Sequence, residues 1–102
     1  MKDVYGIIYG FQNSSGEYCT EFEDDIYEDY KEALETAINS NLSYNSKKVF
    51  EDIRKYFEDY RKFSDEEIAK AIATDFIDSP EPVVGFCAVK RFIFKPKQKE
   101  RE

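Results

Sequence analysis

The sequence predicts an α+β fold in which a three-stranded antiparallel sheet is covered on one face by three helices, in the order β-β-α-α-α-β. Apolar residues alternate with a period of two near both ends of the chain, as in strands. Between residues 26 and 77 they recur at spacings of three and four, and a complete helix-capping motif begins at Ser64. The length of 102 residues suits one domain, for which nine Phe and eight Tyr can supply a core.

The chain should begin with a hairpin. Strands are predicted over Val4–Phe11 and Tyr18–Glu23, joined by the polar loop Gln12–Gly16. Alternation gives the first strand an aromatic face and a glycine face. The aromatic face holds Tyr5, Ile7, Tyr9 and Phe11, and the other holds Val4, Gly6, Ile8 and Gly10. Because glycines leave room for a close neighbour, we expect a helix to cross the glycine face.

The first helix is predicted from Ile26 to Asn41. Asp24 or Asp25 can cap its N-terminus, and Asp25 with Glu28 has the form of a capping box in which Asp replaces Ser or Thr. Helical spacing turns Tyr27 and Tyr30 toward the core. The segment Asn39–Asn45 has the composition of a polar turn.

Two further helices should follow. Ser46 can cap the second, whose inward stripe is Val49, Phe50, Ile53, Tyr56, Phe57 and Tyr60. Ser64 and Glu67 form a full capping box that opens the third helix, predicted through Ile77. The proline-containing segment Asp78–Pro82 ends it, because proline lacks the amide donor that a helix requires.

The last strand is predicted over Val83–Lys95. Both of its faces are apolar, which is typical of a central strand, and we place it beside the first strand. Residues 1–95 then form the domain, and the basic tail 96–102 is expected to be disordered. If the helices cover one sheet face only, the other exposes an apolar patch that a second copy could cover. That patch would include Tyr5, Ile7, Tyr9, Val84, Phe86 and Phe92.

Several classes of chemistry are disfavoured by composition. The chain has no His, so the commonest general base is absent, and neither Cys19 nor Cys87 has a candidate base beside it. The acids lack the spacing of a calcium loop, and no glycine-rich loop precedes a helix. We therefore expect no enzymatic activity, metal or other cofactor. With no export signal or membrane-spanning segment, we expect a cytoplasmic protein with reduced thiols.

Negative charge is concentrated in one fifth of the chain. Residues 17–36 contain nine acids and one base, a net charge of −8, whereas the whole chain carries −7. We expect the acids of the second strand and the first helix to form a partner-binding surface. These residues are Glu21, Glu23, Asp25, Glu28, Asp29, Glu32 and Glu35. From Asp25 onward they should line one side of the helix, at spacings of three and four.

The leading hypothesis is a non-enzymatic inhibitor or regulator that places this acidic surface against a Lys/Arg-rich site of a nucleic-acid-handling protein. In general character, though through no motif, the chain resembles the small acidic inhibitors of phages, which include anti-CRISPR proteins and DNA mimics. Direct nucleic-acid binding is not expected, since bases cluster only in residues 90–102. The alternative is a small homodimeric structural or regulatory module whose acidic face only keeps it in solution.

Overall fold

A computed structural model of the chain, which describes residues 2–78 and 82–94, confirms the α+β class and the order of the elements. The strands are β1 (Lys2–Gln12), β2 (Tyr18–Tyr27) and β3 (Cys87–Phe94). The helices are α1 (Tyr30–Tyr44), α2 (Lys47–Tyr56) and α3 (Asp65–Asp75), with a 3₁₀ turn at Glu58–Tyr60. The predicted tail 96–102 and residues 79–81 of the predicted break lie outside the described residues.

The three strands form an antiparallel sheet in the order β2-β1-β3. β3 lies beside β1 as predicted, but the expectation of a central β3 is wrong, because β1 holds that position. The first half of β3 is nevertheless buried, because Cys87 and Val89 pack in one cluster with residues of α1 and α3, and Asn41 of α1 bonds to both backbone groups of Cys87. The strand begins at Cys87 rather than Val83 because Gly85 turns the chain with a φ of +87°.

The helices cover the face opposite to the one predicted. Ala33 and Ala37 of α1, with Ala73 of α3, pack against Ile7 of β1. The partly buried rings of Tyr5, Tyr9, Tyr27 and Tyr30 surround this cluster, so the inward orientation predicted for the last two is confirmed. The short alanine side chains, rather than the strand glycines, allow the helices to approach the sheet.

The glycine face instead receives side chains from the neighbouring strands. A Cβ on Gly6 would lie 3.4 Å from the Phe92 ring. One on Gly10 would lie 2.9 Å from the Tyr18 hydroxyl oxygen and 3.1 Å from the Pro82 carbonyl oxygen. The exposed apolar patch on this face comprises Phe22, Ile26 and Phe92. Of the six residues predicted for such a patch, Phe92 belongs to it, whereas Ile7 and Phe86 are fully buried.

A second cluster joins α2 to α3. Phe50 and Ile53 pack with Ile68 and Ile72, and the Phe50 ring meets Phe86 edge-on at 5.6 Å. The prediction of Tyr56 and Phe57 as inward residues is wrong, since both are exposed. The physical reason is that α2 ends at Tyr56 and Phe57 takes an extended conformation, which breaks the helical stripe.

The capping predictions had mixed outcomes. The Ser64 box is confirmed: its hydroxyl accepts from the Glu67 amide at 3.1 Å, and the Glu67 carboxylate accepts from the Ser64 amide at 2.9 Å. α3 then ends at Asp75, two residues before the predicted Ile77. Ser46 occupies the N-cap position of α2, although its side chain makes no capping hydrogen bond.

The predicted boundary between β2 and α1 is wrong. β2 continues to Tyr27 because it pairs with β1 again beyond Glu23, and α1 begins at Tyr30. Asp29, rather than Asp24 or Asp25, caps the helix and accepts from the Lys31 amide at 3.2 Å. At the other end, most of the predicted turn 39–45 is helical. Within the described residues, no helix is long and apolar enough to cross a bilayer.

Candidate protein-binding groove

A groove of about 710 Å³ opens where the acidic part of β2 passes the C-terminal end of α1. Carboxylates and aromatic rings line it, and the start of β3 contributes to its base. The carboxylates are Glu21, Glu23 and Asp24, the rings include Tyr9, Phe11 and Tyr44, and the base includes Gly85 and Cys87. Among the described residues that line this space there is no Lys or Arg. We call it the acidic groove.

An irregularity in β2 brings neighbouring acids to the same groove. The regular pairing of β2 with β1 stops after Phe22 and resumes at Ile26, so the acidic residues 23–25 all lie opposite Ile7. Bulges of this kind bend the strand and redirect its side chains. The first two of these acids therefore both line the groove, although in a regular strand they would point to opposite faces.

Two asparagine side chains hold the end of α1 against the segment that leads into β3. Asn41 is 1% exposed, and its side chain both donates to the Cys87 carbonyl at 3.0 Å and accepts from the Cys87 amide at 2.6 Å. One turn later, Asn45 donates to the Gly85 carbonyl at 3.0 Å. These tertiary bonds explain why a segment of turn-like composition is helical. They also place Tyr44, which is 81% exposed, on the wall of the groove.

The groups in the groove influence one another electrostatically. The Tyr9 hydroxyl donates to the Glu21 carboxylate, and this hydrogen bond is the main reason why the pKa of Tyr9 is raised. Glu23 is half-buried, and burial, followed by the charges of Asp25 and Asp24, raises its pKa. The carboxylate of Glu23 is therefore incompletely solvated and is repelled by its neighbours, an environment that a cation would relieve.

The buried cysteine at the base of the groove is unsuited to act as a nucleophile. Burial, followed by the charge of Glu23, raises the pKa of Cys87 to about 11. A thiol with such a pKa remains protonated near neutral pH, and the thiolate is the reactive form.

The structure places the predicted site residues in three groups. Glu21 and Glu23 line the acidic groove, and Asp25 is exposed in the same bulge. Farther along, Glu28 and Asp29 lie between the two elements, where Glu28 forms an ion pair with Lys2 at 3.2 Å and Asp29 caps the helix. The predicted helical row from Asp25 to Glu35 is wrong, because α1 contains only its last two members. These two, Glu32 and Glu35, are exposed on the first turns of α1.

Sequence reasoning missed several residues of the groove, namely Asp24 as a lining residue and the rings of Tyr9, Phe11 and Tyr44. One signal was available: three consecutive acids break the period of two between Phe22 and Ile26, which is typical of a bulge. No local signal marks Tyr44, because its position depends on bonds between α1 and a strand more than 40 residues away.

We also looked for a metal site in the structure and for similar proteins that could indicate a function. The described residues include no group of three or more Cys, Asp or Glu side chains that could hold a metal ion. No family model, curated protein or solved structure matches the chain. Function is therefore inferred from geometry and charge.

Proposed function

We propose that the protein is a non-enzymatic inhibitor or regulator that binds a partner protein through an acidic surface formed by β2 and the first turns of α1. The partner surface is a Lys/Arg-rich site that otherwise binds nucleic acid, so the protein acts as a DNA mimic of the phage anti-defence type. Binding then competes with nucleic acid for the same basic side chains.

The observation that supports this proposal is that the described bases leave the acidic surface almost unneutralised. Of the nine acids in residues 17–36, Glu28 alone forms an ion pair with a described base. Elsewhere in the described chain, bases are paired with the acids Asp52, Asp65 and Asp78. Like charges held close together oppose folding slightly, and a cationic partner removes that cost on binding.

The chemistry of the surface favours a site that handles nucleic acid. Proteins neutralise phosphates with clustered Lys and Arg, and such a cluster attracts any surface that carries fixed negative charges. Carboxylates can accept hydrogen bonds from the same guanidinium groups that grip phosphate. Long-range attraction of this kind speeds association and weakens with salt.

Affinity capture from a bacterial lysate tests this proposal. The bait is the wild-type chain or a variant in which Glu21, Glu23, Glu32 and Glu35 are changed to Gln. The matched control neutralises four exposed acids elsewhere, at Glu51, Glu58, Asp59 and Glu66. We expect the wild type and the control to retain a nucleic-acid-binding protein that salt or added DNA releases, and the first variant to lose it. Equal capture by both variants would contradict the proposal.

A second candidate function is homodimerisation through the sheet face that the helices leave open. Three large apolar side chains are exposed there: Phe22 at 48%, Ile26 at 62% and Phe92 at 39%. A second copy of the chain that covered this patch would remove it from water, which is favourable. Sedimentation at tens of micromolar would detect the dimer, and Ile26→Lys should dissociate it. Ile93→Lys is the control, because Ile93 is similarly exposed and alternation places it on the other face.

A further inference from the structure

We propose that the partner supplies an extended segment with Lys or Arg at alternate positions, which adds as a fourth strand to the outer edge of β2, where no described strand pairs, and directs its basic side chains into the acidic groove. This inference rests on the proposed function and specifies the partner segment that the surface fits.

The first step is the direction of the backbone groups of β2. β2 is an outer strand, and among the described strands it pairs with β1 alone. Gly10 of β1 donates its amide to the Phe86 carbonyl at 3.2 Å, on the side of β3. Residues opposite one another in an antiparallel pair exchange both hydrogen bonds or neither. Thr20, which lies opposite Gly10, therefore turns its N–H and C=O away from β1, and by alternation Phe22 does the same.

The second step is the choice of occupant, which the charges decide. On an added strand, the side chain beside Glu21 shares the face of the groove, into which the bulge also directs Glu23. Basic residues there would pair with these carboxylates and approach the exposed ring of Tyr44. A second copy of the chain would instead bring two rows of acids together across the new pair, which is unfavourable.

The same features limit what else can bind. Charged side chains and bulges are common means of protecting an outer strand from nonspecific pairing, and β2 has both. The bulge after Phe22 ends the regular strand, so an added segment that hydrogen-bonds to Thr20 and Phe22 is only about five residues long. A short segment of this kind gains specificity from its charges rather than from its length.

Amide hydrogen exchange with a synthetic peptide tests the proposal on the full chain. The probe is acetyl-Thr-Arg-Thr-Arg-Thr-amide, and its control replaces both arginines by citrulline, which has nearly the same shape but no charge. We expect the arginine peptide to slow exchange at Thr20 and Phe22 by about tenfold or more at saturation, because their amides become hydrogen-bonded. The citrulline peptide should leave exchange at both amides unchanged.

Variants separate the contributions of charge and backbone. Changing Glu21 and Glu23 to Gln should weaken the arginine peptide by about fivefold to tenfold, through loss of two surface charge pairs. The same change at Glu32 and Glu35 removes equal charge away from the edge and should have a smaller effect. Thr20→Pro removes the outward amide at an edge position that tolerates proline, and should abolish peptide binding without altering the circular dichroism spectrum.

The outcomes distinguish this inference from the proposed function. Salt-sensitive binding of the arginine peptide without slower exchange at Thr20 and Phe22 would overturn strand addition while leaving the acidic surface as a binding site. Protection of these amides that rises with protein concentration alone would assign the edge to a second copy and overturn the inference. If the peptide does not bind and capture does not depend on charge, both proposals are wrong.

Discussion

Replacing Asn41 by alanine should destabilise the fold more than any surface change, because one buried side chain bonds to two elements. Its amide nitrogen donates to the carbonyls of Ala69 and Cys87, both at 3.0 Å, and its oxygen accepts from the Cys87 amide. The Ala69 carbonyl lies within α3, so it still accepts a hydrogen bond from the helix backbone when Asn41 is replaced. The two backbone groups of Cys87 point away from β1 and would lose the bonds that Asn41 supplies.

The size of the effect follows from those two groups. A buried donor or acceptor without a partner costs about 1–3 kcal/mol, so the loss of two partners in Asn41→Ala should lower the free energy of unfolding by roughly 2–6 kcal/mol. Small domains have about 5–15 kcal/mol in total. At this chain length, 1 kcal/mol corresponds to about 4–8 °C, so the melting temperature should fall by roughly 10–50 °C.

Urea denaturation followed by circular dichroism measures this change, and Asn39→Ala is the control. Asn39 is exposed on the same helix, so its replacement should change the free energy of unfolding by less than about 0.5 kcal/mol. If Asn41→Ala lies within about 0.5 kcal/mol of that control, the side chain does not hold α1 to β3 and the reasoning fails.

Three further predictions concern stability. Burial and neighbouring charges raise the pKa of Glu23 in the folded chain, so ionisation of Glu23 opposes folding. Glu23→Gln should therefore raise the free energy of unfolding by roughly 0.2–1 kcal/mol at neutral pH. This gain should vanish in acid, below the pKa that Glu23 has in the unfolded chain. Gly10→Ala should cost about 1–3 kcal/mol through close contacts with the Tyr18 ring and the Pro82 carbonyl, whereas Gly6→Ala has room and should be nearly neutral by urea denaturation. Ser64→Ala should cost about 1 kcal/mol in the same assay, and no loss would contradict the capping box.

The parts of the fold that could be predicted from sequence are those encoded locally. The capping box at Ser64 needs four consecutive residues, and its geometry is as predicted. The end of β2 could not be predicted, because the chain from Glu23 onward has helical spacing and stays a strand only through pairing with β1. Likewise Asn41 occurs in a turn-like segment, and its bonding partners are 28 and 46 residues away.

The candidate site was predicted in composition but not in shape. The concentration of acids in residues 17–36 is visible in the sequence, and Glu21 and Glu23 do line the groove. The assignment of the acids from Asp25 to Glu35 to one helical row was wrong, because β2 continues to Tyr27 and α1 begins only at Tyr30. The aromatic wall at Tyr44 arises from tertiary packing, which no local pattern encodes.

Competition with DNA tests the proposed function most directly. A labelled DNA duplex is bound to the nucleic-acid-binding protein that the wild-type chain captures, and increasing amounts of the wild-type chain are then added. We predict that DNA is displaced completely and competitively, and that the variant with Gln at positions 21, 23, 32 and 35 displaces it only at much higher concentration. A stable ternary complex, in which DNA and the wild-type chain bind the partner together, would contradict the proposal.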